Sequence, residues 1–381
     1  MSAPPSTDGL DTDAALRAKD PQDMLRAVAT GAAQVREAAM LAGEAGLELL
    51  AGDGRPRAMV VTGMGGSGIA GDVLAAVAGP TCPVPVLTHR GYGLPGWVGA
   101  TDLVVAVSCS GSTEETLSAT DEAIRRGCRL LVVGGTDSPL AERAVQSRAP
   151  FVAVPGGRQP RASLWALSTP VVLAGHALGL VSAPAEVIEA TAARLEGVSA
   201  RCRPSSDAFV NPAKSLARDL LGAVPMIWGT SPLAGTVAYR FACQLAENAK
   251  LPAAWGVLPE ANHNMVVAFD GPFGGGPGRR DDDLFRDRVD DPDSGPGLHL
   301  VLLRDRNEHP QVLARVAASR ELAEQRGIGV TELVAEGTSA FEQLASLVGL
   351  VDYTSVYLAL LEDIDPTPVE VIEDLKARIR E

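Results

Sequence analysis

Residues 103–116, LVVAVSCSGSTEET, run as an apolar, β-branched stretch that breaks abruptly into hydroxyls and a glycine. A run of that kind reads as a buried parallel strand entering a helix. Ser108, Ser110, Ser112 and Thr113 then fall in the strand-to-helix turn, where the first helical amides have no internal partner and the dipole favours an anion. The turn is therefore a candidate phosphate cradle. It holds no Lys or Arg and lacks the G-x-x-x-x-G-K-[ST] pattern, which points away from a nucleoside triphosphate with its magnesium. A monophosphate ester held by hydroxyls and amides fits better. On this stretch alone, hydroxyls that merely cap the helix remain the plainer alternative.

The surrounding chain repeats the pattern. Strands read at 57–62, 84–87, 103–107, 130–133 and 151–154, with helical stretches such as 114–126 and 140–146 between them. That alternation calls for an α/β fold, a parallel sheet with helices on both faces, whose ligands bind at the carboxyl ends of the strands. The first strand ends in Gly63-Met64-Gly65-Gly66-Ser67-Gly68, a turn whose glycines allow close approach of a ligand and whose Ser67 stands where a hydroxyl would meet phosphate. Its spacing is not that of a dinucleotide fingerprint. After the fifth strand a Gly- and Pro-rich loop carries Arg158 and Arg161, either of which would fork onto phosphate or steady an oxyanion there. A solvated loop charge is the blander fate of such an arginine.

With 381 residues, 46% of them hydrophobic, the chain is long enough for two domains with separate cores. A net charge of −14 argues against a nucleic-acid partner and against attraction to anionic lipid. The five cysteines have neither CxxC spacing nor the density of a secreted scaffold and read as reduced, mostly buried thiols, Cys109 included. An acidic, polar start is unlike a signal peptide, and residues 162–185, uncharged but for His176, read as a buried helix rather than a membrane span. A cytoplasmic location is expected.

Residues 1–12 are expected to be a mobile terminus, and two amphipathic helices are expected before residue 50. A polar crossing at 196–209 marks the expected boundary between a first domain, 13–200, and a second, 201–381. The second begins with a strand at 224–228 and a helix running to Lys250, followed by the clustered polar residues of ENAKLP and PEANHN. Residues 271–297, rich in Gly, Asp and Arg, read as a flexible insertion. Strands at 298–303 and 329–334 and a long helix at 339–362 complete the series. Thr367-Pro368-Val369-Glu370 reads as a capping box opening the last helix, which carries Lys376.

Taken in order, GMGGSGIAGD, RGYGLP, SCSGSTEET, GGRQPRAS, QLAENAKLPA and PEANHN make the chain from about residue 40 onward resemble the bifunctional phosphoglucose/phosphomannose isomerases of the sugar isomerase (SIS) domain superfamily. The resemblance implies two SIS-type, doubly wound parallel-sheet lobes of flavodoxin-like order with flanking helices. It implies an aldose-ketose isomerase that interconverts glucose 6-phosphate or mannose 6-phosphate with fructose 6-phosphate through a cis-enediolate, with no metal and no cofactor, as a homodimer with shared active sites. Carried onto this chain, it puts Gly66, Ser67, Ser108, Ser110 and Thr113 on the substrate phosphate and Arg161 on the enediolate. Glu247 would shuttle the proton between C1 and C2, His263 would open the ring with Lys376 beside the ring oxygen, and Thr367 would bear on which epimer is accepted. The chain departs from the family at Met265, where members often carry an acid, and at Cys109, which replaces an aromatic.

Two other classes fit parts of this pattern. A regulatory SIS module that binds a sugar phosphate without turning it over would keep the cradle but has no need of the Glu247 and His263 pair. An amidotransferase synthase would add a glutaminase domain with an N-terminal Cys.

Overall fold

The computed structural model describes residue 10, residues 13–274 and residues 296–380. The two segments read from the sequence as mobile, 1–12 and 271–297, lie outside the described residues apart from Leu10, 271–274 and 296–297. Among those margins, Leu10 is buried and Phe273 O accepts the amide of Leu298 at 2.6 Å.

The chain divides into two compact units. The first comprises Ala27–Gly197 with Gly337–Ser346, and the second takes Val198–Glu336, Leu347–Glu381 and the residues up to Arg26. Two segments thus leave the contiguous division at about residue 200. The N-terminal residues 13–26 group with the second unit, where Lys19 Nζ reaches Leu360 O at 3.1 Å and Asp363 at 3.0 Å. The helix Ala185–Cys202 also runs through part of the stretch read as a polar crossing.

In the first unit, β1 (Met59–Thr62), β2 (Val86–His89), β3 (Leu103–Ser108), β4 (Arg129–Gly135) and β5 (Phe151–Val154) are all parallel and ordered β2-β1-β3-β4-β5. This is the flavodoxin-like order, and its switch point lies between β1 and β3. Their residues alternate between two cores. Met59, Val61, Val105, Leu131 and Val133 face the side covered by the helices Gly31–Glu44, Gly65–Ala78 and Leu164–Ala177. Val60, Val104, Ala106 and Val132 face the helices Glu114–Arg125 and Pro139–Ser147. A period of two carried through a doubly covered sheet makes both faces of the central strands apolar, which is why β1, β3 and β4 read as hydrophobic runs, while the edge strand β2 is only partly buried. The apolar stretch 162–185 is not one helix. It ends at Ala177, where Leu180 N turns back to Gly175 O at 2.8 Å.

The second unit repeats the plan with four parallel strands, β6 (Val224–Gly229), β7 (Ala254–Val257), β8 (Leu298–Arg304) and β9 (Gly329–Val334), ordered β7-β6-β8-β9. Trp228, Leu300 and Leu302 form its core with Phe269, whose ring stacks on Trp228 at 5.5 Å. The edge strand β7 escaped the sequence reading: AWGV is only four residues long, none of them fully buried, and lies among polar motifs.

Candidate active site

In the first unit both candidate ligand loops leave the carboxyl ends of β1 and β3, the two strands flanking the switch point. Ser67 stands in the first turn of the helix Gly65–Ala78, and its Oγ accepts the Cys109 amide at 3.2 Å, so the two loops are hydrogen-bonded to each other. Ser108 is buried. Its Oγ accepts the Gly111 amide at 3.0 Å and lies 3.0 Å from Thr113 Oγ1, which makes it the internal lock of the turn. Ser110 is exposed and accepts both the amide and the hydroxyl of Ser112, at 3.3 and 3.1 Å. Thr113 is the N-cap of the helix Glu114–Arg125 but makes no side-chain cap bond, so the helix offers the uncapped amides that an anion needs. The turn closes on Gly111, whose φ of 66° leaves no room for a side chain: a Cβ would stand 2.0 Å from Ser138 Oγ.

Arg161 is brought to the same place. A Cβ at Gly66 would lie 3.4 Å from Pro160 O and 3.8 Å from Arg161 Cα, so the 3₁₀ turn Pro160–Ala162 packs on the first turn of the Ser67 helix. Arg161 itself is 5% exposed. A residue that the sequence reading missed holds this turn: buried Gln34 donates to Ala162 O at 2.7 Å and accepts from the Ala166 amide at 3.2 Å. Its only signal was one amide on the apolar face of Ala32, Val35 and Ala38. Burial pushes the Cys109 thiol up, against the smaller opposing pull of the Ser163 hydrogen bond and the Arg158 charge, which disfavours the thiolate a nucleophile needs. Gly66, Ser67, Ser108, Ser110 and Thr113 thus lie in the loops at the carboxyl ends of β1 and β3, with the Arg161 backbone packed beside Gly66.

The second unit carries the acid and base candidates. Glu247 is the penultimate residue of the helix Pro232–Asn248 and borders a cavity of about 530 Å³ that Lys250, Pro368, Val369, Glu370 and Ile372 also line. That helix is anchored by Arg240, bonded to Asp352 through Nε and Nη2 at 2.8 and 2.6 Å, and by Asn248, which reaches Ser355 Oγ at 2.9 Å. His263 closes the short turn Glu260–Asn262, is exposed, and does not line the Glu247 cavity. Among the described residues its ring makes no hydrogen bond. Asn262 pins the loop to Ser319 Oγ at 2.8 Å. Met265 does not stand in for an acid beside the imidazole, because its sulfur packs where a Cβ of Gly256 would fall, 2.6 Å away, against the core of this unit.

The capping box at Thr367 does not form. The last helix begins at Glu370, three residues later, with Ile372 N on Val369 O at 2.8 Å. The amide of Thr367 instead goes to Asp365 Oδ1 at 2.9 Å, and Lys250 Nζ takes Pro368 O at 2.7 Å, so residues 367–369 stay outside the helix. Thr367 is buried, while Lys376 is exposed on the last helix.

A profile of the bacterial phospho-glucose isomerase C-terminal SIS domain matches residues 209–379. The chain is 33% identical over 323 residues to the bifunctional phosphoglucose/phosphomannose isomerase of Caldicellulosiruptor bescii, covering 85% of this chain and 89% of the relative. The chain belongs to the bifunctional phosphoglucose/phosphomannose isomerase family. It is an isomerase. The relative of the same description from Aquifex aeolicus is 31% identical, covering 85% and 91% of the two chains. Among solved structures, a hypothetical protein of Thermus thermophilus superposes with a TM-score of 0.67 at 16% identity, covering 96% of this chain and 92% of that one. That likeness carries the fold alone: two parallel sheets with flanking helices.

Proposed function

We propose that this isomerase interconverts glucose 6-phosphate or mannose 6-phosphate with fructose 6-phosphate. The observation that carries the reading is the hydroxyl and amide cradle at the switch point, in a chain one-third identical to a relative named for those two activities. The cradle takes the phosphate through Ser67, Ser110, Thr113 and the first amides of the helix Glu114–Arg125, with Gly66 leaving space and Ser108 holding the turn. Glu247 removes the C2 proton of the opened sugar and returns it at C1, and Arg161 steadies the enediolate oxygen between the two transfers. Imidazole is suited to moving a proton between O1 and the ring oxygen near neutral pH, which gives His263 the ring-opening step with Lys376 as helper. Thr367 bears on the choice of epimer.

The active form is a homodimer in which the partner's His263 completes each site. Exposure of His263, and its absence from the lining of the Glu247 cavity, support that assignment. Sedimentation that finds an active monomer overturns it.

The chemistry is tested with fructose 6-phosphate, reporting glucose 6-phosphate and mannose 6-phosphate separately. Glu247→Gln should abolish exchange of the C2 proton with solvent and leave sugar-phosphate binding nearly intact. Normal turnover in that variant refutes the mechanism.

A further inference from the structure

The end of the helix that presents Glu247 is closed in an unusual way. Leu251 N folds back to Leu245 O at 3.1 Å, and between them Lys250 adopts φ 57°. That left-handed position just past a helix is the one usually given to Gly or Asn, because any other side chain crowds the backbone there. Backbone ease alone would not put a lysine at this point. Its ammonium makes two bonds that a glycine could not: to Glu247 O at 2.6 Å and to Pro368 O at 2.7 Å. The first satisfies a carbonyl left over at the negative end of the helix. The second ties that helix end to a residue 118 positions later, two before the C-terminal helix Glu370–Arg380.

That C-terminal helix has little packing of its own. Val371, Leu375 and Ile379 form its apolar stripe and are 82%, 56% and 70% exposed. Where the helix starts is thus governed largely by the segment before it, held at Thr367 by Asp365 and at Pro368 by Lys250.

We propose that Lys250 is a positioning residue, a clasp that holds residues 367–369 across the end of the Glu247 helix and thereby sets both the mouth of the Glu247 cavity and the starting point of the helix that carries Lys376. Its consequence for turnover rests on the roles given above to Glu247 and Lys376, whereas the clasp itself does not.

The test uses the full chain with Lys250→Met, which removes the ammonium and keeps the strained backbone, and Lys250→Gly, which removes both. Hydrogen exchange of residues 365–380 should speed up by about tenfold or more in each, with the strands of both sheets still protected. In the isomerase assay kcat should fall by about ten- to a hundredfold, the loss typical of a misplaced catalytic group, while KM for fructose 6-phosphate moves by less than about threefold, because the phosphate cradle is untouched. Lys376→Ala should add little to the loss in the Lys250→Met background, since both act through one helix. Unchanged protection of 365–380 in Lys250→Gly refutes the clasp, and faster exchange with an unchanged kcat refutes its role in positioning. Should the unaltered protein fail to isomerise sugar phosphates, the proposed function falls, and the exchange data still decide the clasp.

Discussion

Removing the charge that supports the Glu247 helix from beneath should unfold the second unit first. Arg240 and Asp352 form a bidentate pair whose side chains are 2% and 7% exposed, with Gln244 Nε2 adding a third bond to Asp352 Oδ1 at 3.2 Å. Burial pushes the Asp352 carboxyl up from its ordinary value, and Arg240 is what pulls against that. In Arg240→Met the apolar stem is kept and the carboxylate is left buried with, among the described residues, Gln244 to bond it. Breaking such a pair from one side costs about 3–5 kcal/mol, which in a unit of this size lowers the melting midpoint by about 10 °C. Without Arg240 the folded-state pKa of Asp352 rises further above the unfolded value, so the folded variant binds the proton more tightly than the unfolded chain does. Its deficit is therefore full above the folded pKa and shrinks as pH falls toward the unfolded value. Calorimetric scans of both proteins over a falling pH series should show the gap closing on acidification. Arg240→Met with Asp352→Leu should recover most of the loss, because neither partner's charge is then left buried without the other. A single variant that melts within about 2 °C of the parent near pH 8, or a gap that widens in acid, refutes the reasoning.

Other outcomes follow from the same geometry. Gly111→Ala forces a Cβ into Ser138 Oγ, the cap of the helix Pro139–Ser147, and should cost about 2–3 kcal/mol and raise KM for a sugar phosphate, both measurable on the purified variant. Ser110→Ala, which leaves the internal lock of Ser108 Oγ with the Gly111 amide and Thr113 Oγ1, should raise KM severalfold and weaken inhibition by inorganic phosphate with little change in melting; an unchanged KM would show that phosphate binds elsewhere. Cys202 is fully buried and burial pushes its thiol up to about 11, so thiol titration near neutral pH should label it only on unfolding, after the partly exposed Cys82, Cys128 and Cys243.

What the amino-acid sequence determined by itself is whatever depends on near neighbours along the chain. The doubly covered strands announce themselves as apolar runs because both faces of β1 and β3 are buried, and the loops after them announce themselves because a strand-to-helix turn needs glycine and hydroxyls within a few residues. Among the described residues, the strands with buried runs, such as β1, β3, β4 and β8, lie where hydrophobic runs placed them, and β7, four half-buried or exposed residues among polar motifs, was not read. The tertiary structure decided what depends on partners far away in sequence. Residues up to Arg26 join the second unit through Lys19 and the end of a helix more than 300 residues later. Thr367 reads as a cap by its local pattern, yet Asp365 and Lys250 compete for the backbone around it, and with two charged partners on that backbone the last helix starts at Glu370 instead. Gln34 under the Arg161 turn and Met265 over Gly256 are the same kind of case. A single polar or flexible apolar side chain carries no periodic signal, and only the folded chain shows which distant backbone it holds or which gap it fills.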